Sequence, residues 1–170
     1  MFAEVGTDVY ASVDGEVTYA SLAPGYGKVI IVSVEESEIM WANRQEYKPR
    51  TNLTKVELKQ YDDFEVEYNK NKQLYLMYGH LDSINNNIKV GVKVKSGDII
   101  GKTGVSGITH GTHAPHLHFE VKTKKTIKKG DLGRCNPSLF VNFKDYSQQS
   151  EDDRKRQKDA RDKEAKKRKK

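Results

Sequence analysis

Five histidines carry most of the chemistry this sequence can offer: His80, His110, His113, His116 and His118. Four of them fall within nine residues, which random scatter rarely produces. Imidazole titrates near neutrality and is a common zinc ligand, so such a cluster suits proton transfer, metal binding or both. The segment Pro115-His116-Leu117-His118-Phe119-Glu120-Val121-Lys122 alternates polar and apolar residues and reads as a strand. Residues two apart in a strand share a face. His116, His118 and Glu120 are therefore expected side by side on the exposed wall of a sheet, with Leu117, Phe119 and Val121 on the core side. A His-x-His pair alone fits two plain surface histidines as well as it fits a metal site. His80, after Tyr78-Gly79 at the end of an apolar run, alone fits a surface histidine at a strand end. Gly101, Gly104, Gly107 and Gly111 punctuate the approach to the His-x-His strand and allow the backbone to pass close beside a site.

The elements that must hold these histidines are short and β-rich. Val9 to Ala11, Glu16 to Ala20, Lys28 to Val34 and Leu74 to Tyr78 read as strands. Asp14-Gly15 is expected to turn a hairpin between the first two. Ile88 to Val94, Ser96-Gly97-Asp98 and Ile99 to Gly101 read as strand, tight turn and strand. Helical periodicity is weak across the body, so the class is mainly β, with antiparallel meanders. Residues 36–73 are charged and poor in aliphatics; they read as an insertion, a hairpin or a short helix, that contains the only tryptophan, Trp41. A plain surface excursion is the expectation there, with a substrate-groove wall as the alternative.

Composition narrows the classes further. The 170 residues hold 30 Lys+Arg against 24 Asp+Glu, a net charge of +6. Residues 151–170 hold 11 Lys/Arg and 6 Asp/Glu, net +5, and the first 150 hold 19 and 18, net +1. The basic character therefore belongs to the tail. The body offers no basic and aromatic platform for nucleic acid. The tail has only Ala160 and Ala165 as apolar residues, so it is expected to be a solvated helix or a disordered end, with Lys166 to Lys170 as the one dense run able to meet an anionic surface. No run of 18 apolar residues exists, hence no transmembrane helix, and no signal-peptide pattern opens the chain. The single cysteine, Cys135, excludes an internal disulfide framework and a Cys-based zinc finger.

Several segments together resemble the LytM/lysostaphin-type zinc metallopeptidases, the peptidoglycan endopeptidases with a duplicated hybrid motif. They are GTDVYASVDGEVTYA at 6–20, GYGKVIIV at 25–32, LYLMYGHL at 74–81, IKVGVKVKSGDIIGKTGVSG at 88–107, PHLHFEV at 115–121 and NPSLFV at 136–141. The resemblance implies an antiparallel β-sheet, a barrel-sandwich hybrid, over residues 1–146, with the insertion at 36–73 and a charged tail at 147–170. It implies Zn2+ as cofactor, His118 as metal ligand, and His80 and His116 as catalytic residues. It further implies bacterial peptidoglycan peptides as substrate and an extracytoplasmic location in the periplasm, envelope or secreted fraction.

One part of the family pattern has no counterpart. The family's His-x-x-x-Asp, which supplies two zinc ligands, precedes a segment matched here by Ala3-Glu4-Val5-Gly6-Thr7, so its Asp would fall just before Met1. Three explanations are open. The sequence is a fragment or starts late; or it is a catalytically inactive LytM-type binding module that regulates a cell-wall hydrolase, its partner; or His110 and His113 rebuild a zinc site with His118. A phosphocarrier or lipoyl-like carrier is the remaining alternative, and Ser96-Gly97-Asp98 has no lysine at its hairpin tip.

Overall fold

The computed structural model describes residues 2–44, 72–108, 115–127, 133–142 and 148–167. Among these, eight strands form one antiparallel sheet: β1 (Asp8–Tyr10), β2 (Gly15–Ala23), β3 (Gly27–Val34), β4 (Tyr75–Ile84), β5 (Lys93–Val94), β6 (Ile99–Thr103), β7 (His118–Lys122) and β8 (Arg134–Cys135). A short helix α1 (Ser37–Ala42) follows β3, a 3-10 turn (Pro137–Leu139) follows β8, and helix α2 (Glu151–Lys167) follows that. The order β1-β6-β4-β3-β2-β5 contains the meander β2-β3-β4, while β7 pairs with β4 and with β8. The sheet curls into a half-barrel, and bonds from Ala11 N to Asp98 O (2.8 Å) and from Val17 N to Val92 O (2.9 Å) extend the β1–β6 and β2–β5 pairs.

The continuous run in β3 has a packing reason. Ile30, Val32 and Val34 enter the main core with Trp41, Leu76, Tyr78, Leu81, Ile100 and Val121. Val29 and Ile31 face the other way, into a smaller cluster with Ala23 and Met77. A strand buried on both faces needs no polar alternation. As the alternation predicts, Leu117, Phe119 and Val121 all lie on the main core.

The expected β1–β2 hairpin does not form: β1 pairs with β6 and β2 with β3 and β5. Asp14 instead accepts from Ser96 N and from Lys95 Nζ, each at 2.8 Å, and so braces the turn before β6. That turn forms as expected, but of the strand expected over Ile88 to Val94 only Lys93–Val94 forms, since Ile88 N and Val92 N close turns onto Asn85 O and Lys89 O, and the strands flanking the turn pair elsewhere. The 36–73 excursion is likewise more than a surface feature at its described ends. Trp41 is 1% exposed, donates to Lys72 O at 2.8 Å and packs on Phe140. Residues 45–71 lie outside the described residues.

Helix α2 follows from its sequence. Ser150 and Asp153 cap each other, acidic residues fill the first turn, and Lys166 and Lys167 lie in the last, all favourable for the helix dipole. No α2 residue is buried. Its described ion pair to the body, Arg156 to Glu4 at 3.4 Å, is exposed and of a kind worth about 0–1 kcal/mol. Deleting residues 148–170 is therefore expected to shift the thermal midpoint by less than about 4 °C, checked by circular dichroism melting. A larger fall would show that the helix is part of the folded unit.

Candidate active site

The site sits where β4 changes partner. Along one edge, Tyr75 to Gly79 pair with β7, and Leu81 to Ile84 pair with β6. Gly79 lies opposite His118, and His80 is the next residue. Regular alternation would send His80 to the face opposite Gly79 and His118. Two features reset it. On the other edge, Gly79 and His80 together oppose the single residue Val29, since Ile30 pairs with Tyr78 and Lys28 with Leu81. His80 also has left-handed backbone (φ 57°), uncommon for a residue with a side chain. Such bulges re-aim side chains at sites. The His80 ring thus lies 5.4 Å from His118 and 5.1 Å from His116, centroid to centroid. His116 is placed by a lone bridge to Phe2 beside a bond from Ala3 N to Pro115 O (3.3 Å).

One ligand atom from each of His80, His116 and His118 lies within 4.8 Å of the others. The surroundings set the protonation of two rings. His80 Nδ1 is 2.8 Å from Ser106 O, which can only accept, so Nδ1 carries the proton and Nε2 keeps its lone pair. His118 Nε2 is 2.9 Å from Glu120 Oε1, so the lone pair of its neutral form resides on Nδ1. Metal-binding histidines are ordinarily held in this way, by an acceptor on the second nitrogen. The donor set therefore suits a divalent transition metal such as zinc. Ser106 is itself pinned, its Oγ accepting from Lys28 N (2.9 Å) and donating to Leu81 O (2.6 Å).

Burial pushes His80 below its ordinary value of 6.5, and the charge of His118 adds to this, against hydrogen bonds to Ser106 and Tyr26. The folded chain thus prefers neutral His80. Its stabilising contribution is complete above the unfolded value and is lost as pH falls through the depressed folded value. Accordingly, the urea midpoint of the metal-free chain should fall more between about pH 7 and 5 than that of His80→Asn, since asparagine accepts the same backbone and does not titrate. Parallel curves would refute the assignment.

Glu120 departs from expectation. It shares a face with His118, but that face is not exposed: Glu120 is 7% exposed and Lys122 fully buried. Arg134 Nε from β8 lies 3.1 Å from Glu120 Oε1, Lys122 Nζ 3.6 Å from Oε2, and Tyr26 Oη donates to Oε1 at 3.4 Å. Arg134 also donates to Tyr26 Oη. Burial alone would raise Glu120; the hydrogen bond from His118 and the Arg134, His118 and Lys122 charges outweigh it and hold the carboxyl below its ordinary value. The sequence reading missed Tyr26, Ser106 and Arg134 as parts of the site. His110 and His113 lie outside the described residues.

Residues 51–129 match the family model for Peptidase family M23. Over this stretch the chain resembles the M23 peptidases. It contains His80, His116 and His118, and the resemblance to LytM/lysostaphin-type enzymes stands. LytU shares 24% identity over 81% of this chain and 66% of its own, with a TM-score of 0.51. The catalytic domain of the antimicrobial peptidase lysostaphin from Staphylococcus simulans shares 23% over 80% and 71%, with a TM-score of 0.50. Helicobacter pylori Csd3 shares 24% over 84% of this chain, with a TM-score of 0.48, and the chain spans only 25% of its length. For LytU and lysostaphin, at these identities, the likeness is one of fold. Among curated proteins, none matches the chain by sequence. Among the described residues, no helix is long and apolar enough to cross a membrane.

Proposed function

We propose that the M23 region forms the histidine side of a zinc metallo-endopeptidase site that hydrolyses peptide bonds of bacterial peptidoglycan outside the cytoplasm. The observation that supports it most is the convergence of three imidazoles, two of them with their second nitrogen already bonded to a fixed acceptor. In this reading His118 is the metal ligand, through Nδ1. Bound zinc would polarise the scissile carbonyl and acidify a water molecule. His80, neutral and with Nε2 as its lone-pair nitrogen, accepts a proton during attack or stabilises the developing oxyanion once protonated. His116 delivers a proton to the departing amine. The buried Glu120 keeps His118 oriented throughout.

The test is direct. Protein loaded with Zn2+ is incubated with peptidoglycans of several cross-bridge types, and new amine termini are sought by mass spectrometry, with metal content measured in parallel. Cleavage that stops on chelation and returns with zinc supports the reading. Folded, zinc-loaded protein that binds wall peptides and cuts none would overturn it in favour of an inactive binding module that regulates a hydrolase.

A further inference from the structure

We infer that Glu120, held by Arg134 and Tyr26, is the positioning residue that fixes which nitrogen of His118 faces the chemistry. The inference rests on the proposed site, but it concerns a ring tautomer and can fail independently of hydrolysis. A carboxylate at this position is costly unless something uses it. Across the β4–β7 pairing, Glu120 lies opposite Met77, and Lys122 opposite Tyr75, both in an apolar cluster. An apolar residue at 120 would fit that cluster without burying charge, and buried ion pairs are weak contributors to stability relative to well-packed apolar groups. The carboxylate instead gathers groups from three separate segments. Tyr26 comes from the β2–β3 turn, Arg134 from β8 and Lys122 from two residues on. The one partner of Glu120 that also belongs to the imidazole cluster is His118.

The geometry gives the carboxylate a specific task. His118 and Glu120 are two apart on one strand face, so the glutamate reaches along the strand to the ring's far nitrogen, Nε2. A carboxylate accepts and cannot donate, so Nε2 is the protonated nitrogen and Nδ1 the basic one. Without this acceptor, an imidazole exchanges freely between its two neutral tautomers, and in one of them Nδ1 is a donor that can neither ligate a metal nor accept a proton. Arg134 keeps the carboxylate charged and in place through its ion pair to Oε1 and its bond to Tyr26 Oη. Tyr26 also stacks edge-on to His118, with ring centroids 5.2 Å apart, and limits rotation of the ring.

Long-range proton–nitrogen correlation spectra of the metal-free chain, recorded across a pH series, read the tautomer of the neutral ring directly. His118 is expected to show a protonated Nε2 and an unprotonated Nδ1. Glu120→Ala should give averaged nitrogens and weaken Zn2+, titrated against a chromophoric chelator, by about 10- to 100-fold, the range for losing an outer partner of a ligating histidine. Glu120→Gln retains the volume and an accepting oxygen, so it should keep the tautomer while losing about tenfold in affinity. A wild-type His118 protonated at Nδ1, or Glu120→Ala with unchanged tautomer and affinity, overturns the inference. Should the alanine variant not fold, unchanged zinc affinity in folded Glu120→Gln overturns it equally.

Discussion

Replacing His118 with alanine is expected to abolish Zn2+ binding by the histidine side of the site and any wall-peptide cleavage with it, while replacing His116 should leave the Zn2+ affinity unchanged and lower the cleavage rate by about 10²- to 10⁴-fold, the usual contribution of one general acid or base. The two rings lie on the same short segment and would be interchangeable if the site were only a patch of imidazole. His118 has a carboxylate behind Nε2 and a tyrosine edge against the ring, the contacts of a held ligand. A ligand needs a fixed ring and one committed lone pair; a proton carrier needs to change protonation state in each turnover. Metal analysis of the two variants, alongside steady-state rates, separates these demands. If His116→Ala and His80→Ala both lose zinc as completely as His118→Ala, the three imidazoles are all ligands, and the proposed division of labour is wrong.

The sequence carried the strands and the histidines, because both are local signals. Alternation in residues 115–122 placed Leu117, Phe119 and Val121 correctly on the core, and the turn at Ser96-Gly97-Asp98 could be read from its residues alone. Pairing partners were not legible. Asp14-Gly15 looks like a hairpin turn, yet β1 reaches across to β6, a choice made by the curl of the whole sheet. Burial of charge was not legible either. Glu120 reads as part of a wetted face because the groups that satisfy it, Arg134 and Tyr26, are distant in the chain or stand beyond a loop. His80 shows the limit most clearly. Simple alternation puts it on the wrong face, and only the bulge and its left-handed backbone bring it to the other two rings.

That bulge is held by a close crossing, and the crossing carries the second large prediction. The strap bearing Ser106 presses on the turn between β2 and β3. A Cβ on Gly27 would stand 2.3 Å from Ser106 Oγ, 2.4 Å from Ser106 C and 2.6 Å from Gly107 N. Two of these atoms are backbone and cannot swing aside. Gly27 also has φ 70°, which costs a side-chain-bearing residue about 1–2 kcal/mol. Gly27→Ala must therefore push the strap away. Doing so threatens the bonds from Lys28 N to Ser106 Oγ, from Ile108 N to Gly25 O and from His80 to Ser106 O. At about 1 kcal/mol for each bond, added to the backbone strain, a loss of about 4–5 kcal/mol in urea unfolding is expected. Gly25 supplies the control: its φ is 81°, and a Cβ there meets nothing within 4 Å. Gly25→Ala should show the strain alone, about 1–2 kcal/mol. The difference between the two variants measures the crossing, and the same samples should show His80 losing its protonated Nδ1 signal only in Gly27→Ala. Equal losses in both would mean that the strap yields without cost, and that Ser106 does not hold His80 in the site.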